Sequence, residues 1–263
     1  MISEELFNDR GRRWVYFGRD ASKPDTLIDT NEYLIVNKDA GLLLDPGGME
    51  IFPAVVSAVT REIALERIEA IFASHQDPDI VSSLSLWLSL NDKLAVYVPW
   101  VWSLFIPHFG GARAVTPVPD EGMVIPLGGS NDLQLIPAHY MHSSGNFSLY
   151  DPVAKILFSG DIGAALLPKD RTEIFVSSFD RHIQYMEAFH KRWLPSNRAK
   201  NDWVERVSKL DIQMMVPQHG ALFKGEDVGR FLQWLKDLKV GSAVADKPQG
   251  KDTASAENGK KKK

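Results

Sequence analysis

The 263-residue chain contains no cysteine. That removes disulfides, thiolate nucleophiles, iron-sulfur ligation and Cys-based zinc sites together, and leaves His, Asp, Glu and backbone oxygen to hold any metal. An excess of one charge is also missing. The 30 Lys and Arg stand against 34 Asp and Glu, for a formal charge of -4, and both signs are spread along the chain. No basic field for long nucleic acid is therefore expected. The first twenty residues carry charges throughout and no apolar segment, so a secretory signal is not expected and a cytoplasmic location is. The longest apolar stretch, residues 94–106, is interrupted by Pro99 and Ser103 and is shorter than the roughly 20 residues needed to span a bilayer. It reads as core, and no membrane association is expected. There is no internal repeat.

What is present is a core-forming composition, 44% hydrophobic, on a chain long enough for one large domain over residues 1–242. Residues 243–263 are rich in Lys, Ala, Gly and Ser without periodicity and are expected to be a disordered, Lys-rich tail. From Arg12 onward short β-rich runs alternate with turn signals such as residues 37–41, predicting antiparallel hairpins. Phe52, Val55, Val56, Val59 and Ile63 fall on one helical stripe, and residues 67–74 read as a buried strand. A helix is expected over residues 80–90, and strands within 93–99, 114–118, 123–127, 133–138, 146–151 and 154–160. In the C-terminal third, residues 180–194, 202–210 and 227–238 read as helices and residues 212–217 as a buried strand.

Four short segments each place a metal-competent residue just after an apolar strand: ASHQDPD, IPAHYMH, LFSGDIG and MVPQHG. Strand C-terminal ends in a layered α/β protein converge on one rim, so residues far apart in sequence can meet there. Singly, each has a plainer reading. Asp77-Pro78-Asp79 makes a helix-capping turn, Asp161 a turn residue, and His139 or His219 a structural histidine. His182 and His190, eight apart on an amphipathic helix, and His108 read as structural. Trp100, Trp102, Phe105 and Phe109 suit an exposed homodimer surface or a core and pocket-lining role equally. Tyr140 and Tyr150 are in place to hydrogen-bond a metal-bound group, although Tyr150 fits a strand better.

As a series, these motifs resemble the metallo-β-lactamase superfamily, whose first motif is His-x-[His/Glu/Asp]-x-Asp-His, followed by a single His, an Asp and a final His. Here they correspond to His75, Asp77, Asp79, His139, Asp161 and His219. With a carboxylate at the centre of the first motif, and with the phrases KILFSGDIGA and MMVPQHGALF, the chain is similar to oxygen-binding di-iron proteins and the iron domain of flavodiiron proteins. The resemblance implies a four-layer αββα metallo-β-lactamase fold, a mixed β-sandwich flanked by helices. It implies one metal on His75, Asp77, His139 and Asp161 and a second on Asp79, Asp161 and His219, with Asp161 bridging.

The mixed oxygen and imidazole donors favour iron, with zinc or manganese open. Ile80 stands where a second-metal His is expected, and Asp77 is one methylene shorter than the usual Glu. His142 is expected to serve as a replacement ligand for that vacancy, as an acid-base group, or as a histidine outside the metal shell. Two functions follow. One is dioxygen binding for sensing, storage or reduction, with electrons from a separate reductase and readout by a signalling partner, because the chain leaves no room for a flavodoxin domain after its last motif. The other is metal-assisted hydrolysis of a small substrate: a phosphodiester such as a cyclic dinucleotide, a thioester or a lactone.

Overall fold

The computed structural model describes residues 1–18, 26–109, 115–169 and 171–244. Strands β1 (Ile2–Asp9), β2 (Arg12–Gly18), β3 (Asn31–Asn37), β4 (Ala40–Leu44), β5 (Ile68–Phe72), β6 (Ala95–Pro99) and β7 (Thr116–Val118) form a seven-stranded sheet in that order. Its first four strands pair antiparallel, and the pairs from β4 to β7 are parallel. The second sheet has six strands in the order β13-β12-β11-β10-β9-β8. These are β8 (Met123–Leu127), β9 (Ser130–Pro137), β10 (Phe147–Asp151), β11 (Ile156–Gly160), β12 (Met214–Pro217) and β13 (Phe223–Lys224). Only the β11–β12 pair is parallel.

The two-residue period of a strand explains how the layers stack. On β3, Tyr33 and Ile35 enter the core between the sheets while Leu34 and Val36 enter a second core outside the first sheet. β11 does the same for the other sheet, sending Ile156 and Phe158 inward and Leu157 outward. Strands buried on both faces read as continuous apolar runs rather than alternating ones.

Helices α1 (Phe52–Glu62), α2 (Pro78–Val81) and α3 (Leu84–Leu90) cover the first sheet, burying Val55, Val59, Ile80, Val81, Leu84 and Trp87. The second sheet is covered by α4 (Phe179–Trp193), α5 (Asn197–Val207) and α6 (Glu226–Asp237) through Phe179, Met186, Trp203, Val207, Phe231 and Leu235. Full burial of each such side chain stabilises by roughly 1.5–3 kcal/mol. The result is the expected αββα sandwich. Among the described residues, no helix is long and apolar enough to cross a membrane.

Several elements differ from the sequence reading, among them β13, which has no counterpart there, and α5, which runs over Asn197–Val207 rather than 202–210. β1 was not expected, because its residues are mostly exposed and polar, as suits an edge strand that must not recruit another chain. The single helix expected over residues 80–90 is two, α2 and α3. The backbone ladder changes over at Ser82–Ser83: Ser82 N–H donates to Pro78 O at the end of α2, and Leu86 N–H donates to the carbonyl of Ser83, the N-cap of α3. Residues 100–109 hold short 3-10 turns that leave Trp100, Leu104 and Phe105 50%, 83% and 61% exposed. Residues 245–263, the greater part of the expected tail, lie outside the described residues.

A buried ionic contact ties the two sheets together. Arg12 on β2, 2% exposed, donates Nη1 to Asp151 Oδ2 on β10 at 2.8 Å and Nη2 to Asp132 on β9 at 2.9 Å. Trp14 Nε1 donates to the same Asp151 oxygen at 2.8 Å.

Candidate metal centre

The loops that follow β5, β9, β11 and β12 meet at one rim of the sandwich. His75 follows β5 by three residues. Asp77 is the N-cap of α2, with Asp79 in its first turn. Asp161 comes directly after β11, and His219 two residues after β12. Close backbone approach makes this possible at two glycines. Gly160 has φ +58, and a Cβ there would sit 3.2 Å from Ser74 Oγ. Gly220, after His219, has φ +87, and its Cβ would meet Ala165 at 2.7 Å. The His219 loop is also clamped from the other sheet, where Asn31 Nδ2 donates to the Pro217 and Gly220 carbonyls at 2.9 Å and the Tyr33 hydroxyl donates to Pro217 O at 2.6 Å.

His75, Asp77, His142 and Asp161 bring one ligand atom each to within 4.8 Å of one another. His142 Nε2 lies 3.2 Å from His75 Nε2, 3.1 Å from Asp77 Oδ2 and 3.3 Å from Asp161 Oδ2. On the other side of Asp161, His219 Nε2 is 3.4 Å from Asp161 Oδ1 and 3.5 Å from Asp79 Oδ2. Asp161 therefore touches both halves. Its Oδ1 is buried and makes no hydrogen bond.

His139 does not join this cluster. Its Nε2 donates to the Asp120 carbonyl at 2.9 Å and its ring packs edge-on against Phe147 at 5.1 Å. The loop explains why: Tyr140 and His142 both have left-handed φ, 60° and 84°, so the chain reverses between them, aiming His139 away and His142 inward. His142 also stands with His75 and Asp77, not beside Ile80, so it does not fill the vacancy on the second half. Ile80 is fully buried in the core under α1. His142 is walled by Trp193, edge-on at 5.4 Å, and by Phe189 at 6.3 Å, residues that a search for ligand motifs passes over.

Hydrogen bonds fix which imidazole nitrogen faces the cluster. Ser74 Oγ donates its one proton to Asp45 Oδ2 at 2.7 Å, so it accepts from His75 Nδ1, 2.9 Å away. His219 Nδ1 donates to the Asp29 carbonyl at 2.8 Å. When Nε2 gives up its proton to a metal, both rings keep theirs on Nδ1 and turn the Nε2 lone pair inward, which is how a neighbouring acceptor orients a metal-binding imidazole. Asp45 and Ser74 carry no ligand motif and were not singled out from sequence.

The electrostatics match a cation site. Burial works against a charge on His75 and His219, yet Asp161, with Asp77 and Asp79, holds each up at about 9. Burial likewise opposes ionisation of Asp161, but His219 and His75 pull it down to about 2. Asp77 is held well below the ordinary carboxylate range against burial by His142 and His75, whereas burial raises Asp79. Imidazolium protons thus supply the positive charge that a bound metal replaces. Behind them, burial pushes Asp45 to about 7 and Glu32 to about 8. Glu32 is fully buried, and neither of its oxygens has a hydrogen bond. Oxygen and imidazole donors, an unpartnered inward carboxylate oxygen and preset tautomers fit a pair of metal ions.

His182 and His190 lie away from this site on α4, where Nδ1 of His190 donates to Met186 O and Nε2 accepts the Gly163 amide. His108 is exposed. Tyr140 is 55% exposed, and the Tyr150 hydroxyl donates to Asp211 O, so neither faces the cluster.

Comparison with known proteins agrees with this architecture. The structure is similar to the peroxy diiron species of the chemotaxis sensor ODP, with 42% identity and a TM-score of 0.82, covering 92% of this chain and 97% of that one. The apo state of that sensor from T. denticola matches with a TM-score of 0.83. A flavo di-iron protein mutant from Thermotoga maritima shares the fold at 21% identity and a TM-score of 0.74, covering 89% of this chain and 60% of that one. An uncharacterized protein of Methanocaldococcus jannaschii is 24% identical over 232 residues, 81% of this chain but only 55% of its own length. The model of the ODP family beta lactamase spans residues 28–220, and the chain belongs to that family.

Proposed function

We propose that the chain is a binuclear non-haem iron protein that binds dioxygen and acts as an oxygen sensor. One ion would be held by His75, Asp77, His142 and Asp161 and the other by Asp79, Asp161 and His219. The observation that carries this reading is the convergence of four ligand atoms within 4.8 Å, with a third histidine and a third carboxylate, His219 and Asp79, across Asp161. Iron, rather than zinc or manganese, is supported by the carboxylate-rich donor set and by the 42% identity to a sensor solved as a peroxy diiron species.

When bound there, a pair of ferrous ions supplies open coordination positions and the electrons that dioxygen takes up. The chain's own residues prepare the place. Asp161 spans both halves; Ser74 and the Asp29 carbonyl lock the inward nitrogens of His75 and His219. Ile80 leaves the second half with three protein donors, so positions stay open for a small ligand. Phe189 and Trp193 shield the His142 side from water. Sustained reduction of dioxygen would draw on an external electron donor, while sensing would pass the state of the site to a partner in the cytoplasm.

The test measures iron, zinc and manganese per chain, then reduces the protein anaerobically and admits air while the visible spectrum is recorded. Two iron ions per chain and a dioxygen-dependent visible band are expected. Zinc alone with no such band would overturn the proposal.

A further inference from the structure

We infer that an uncharged diatomic ligand, dioxygen on the reading above, enters the second half of the metal centre through the apolar cavity beside Asp79, which Gly48 keeps open. The inference rests on that reading for the identity of the ligand. Exposure limits where a ligand can approach. The side chains of His75, His142, Asp161 and His219 are 1%, 8%, 6% and 4% exposed, whereas those of Asp77 and Asp79 are 28% and 30% exposed. The site therefore opens along these two carboxylates. On the Asp77 side polar contacts fill the way. Gln76 Nε2 donates to Asp77 Oδ1 at 2.9 Å, Ser143 Oγ donates to Gln76 Oε1 at 2.5 Å, and His142 Nε2 stands 3.1 Å from the other Asp77 oxygen.

On the Asp79 side lies a cavity of about 340 Å³ with apolar walls of Ile28, Met49, Ile51 and Pro78. Two links tie it to the second half. Asp79 is part of its lining, and Asp79 Oδ2 lies 3.5 Å from His219 Nε2. Thr30, also in the lining, follows Asp29, whose carbonyl holds His219 Nδ1 at 2.8 Å. The coordination positions that Ile80 leaves open belong to this same half.

Gly48 supplies the space. A Cβ there would stand 3.3 Å from Glu50 Oε2, 3.5 Å from Asp79 Cα and 3.6 Å from Ser82 Oγ, among three residues of the same lining. Its φ lies outside the left-handed region, so the backbone does not require glycine here, and what glycine provides is empty volume beside Asp79. The Met49 amide donates to Ser82 Oγ at 3.0 Å and holds the Gly48 loop at a fixed spacing from α2. Apolar walls favour a ligand with no charge to desolvate. Glu50 and Asp79, with no cation among the described lining residues, turn anions away.

The experiment uses the full chain loaded with iron. Stopped-flow spectra record the binding of dioxygen and of nitric oxide to the ferrous protein, and of azide to the oxidised protein. Rates for the two neutral ligands are expected to fall stepwise in Gly48→Ala and Gly48→Leu, by about tenfold or more in the latter. Iron content and melting temperature should stay as they are, and Gly48→Ala keeps the comparison open if leucine disturbs the loop. Glu50→Gln should speed azide about threefold or more and leave the neutral ligands unchanged. A second measurement needs no metal: xenon added to the metal-free protein should give a saturable 129Xe shift that Gly48→Leu abolishes. No dioxygen band in the wild type would count against the dioxygen reading alone. Nitric oxide rates unchanged across the Gly48 series with iron retained, or a xenon response indifferent to Gly48→Leu, would overturn the inference.

Discussion

Replacing His142 and His139 separately by Ala distinguishes the two ways the β9–β10 loop can supply a ligand. His142 contributes one of four converging donors, with its Nε2 within 3.3 Å of three other ligand groups. Loss of a group that merely orients a ligand weakens metal binding about 10–100-fold, so loss of the ligand itself should cost at least about 1.4–2.7 kcal/mol of affinity. His139 gives up one hydrogen bond to the Asp120 carbonyl and its packing on Phe147, which should cost about 1 kcal/mol of folding stability and no metal. Chelator competition followed by metal analysis reads the first effect, and urea unfolding of the metal-free protein reads the second. A His139→Ala protein that loses metal beside a His142→Ala protein that keeps it would refute the geometry described for this loop.

Other substitutions probe other parts of the structure. Asp161→Asn should release both ions and Asp79→Asn only one, as counted by metal analysis. Ser74→Ala removes the acceptor that fixes His75 and should weaken metal binding about 10–100-fold in the same competition assay. Burial lowers His190 from 6.5 to about 4, and protonating its Nε2 would also break the bond from the Gly163 amide. The unfolded chain therefore binds more protons between these values, so this contribution is whole above pH 6.5 and is lost as pH falls towards 4. His190 alone accounts for about 3 kcal/mol of that loss, and urea midpoints should fall less steeply with acid in His190→Gln. Arg12→Met strands Asp151, which is fully buried, and should cost about 3–5 kcal/mol in urea unfolding, part of it recovered when Asp151→Asn is added.

Much of the fold was legible because its strands are buried on both faces. β3 and β11 are continuous apolar runs, and α1, α4 and α6 place their buried residues on a single stripe. β1 escaped notice because an edge strand covered in charge has no apolar signal, and the α2–α3 break because a backbone ladder interrupted at Ser82–Ser83 leaves the apolar spacing intact. At the site, His75, Asp77, Asp161, Asp79 and His219 could be found because each lies close behind a strand end or on a tight turn. His139 and His142 share one loop, and the choice between them is made by two left-handed residues that no periodicity records. Asp45 and Ser74 act through other side chains, so nothing in their local sequence distinguishes them from turn residues.

His75, Asp77 and Asp79 come from the first half of the chain and its seven-stranded sheet, while His142, Asp161 and His219 come from the second half and its six-stranded sheet. The contacts of His75 with His142 and Asp161, of Asp77 with His142 and of Asp79 with His219 are thus contacts between two separately wound layers. A cation bound at the rim would act as a non-covalent cross-link whose ligands exist together only after the layers have docked. Its affinity would then include the work of holding the halves closed, and the strength of metal binding would become a gauge of how completely the sandwich has assembled.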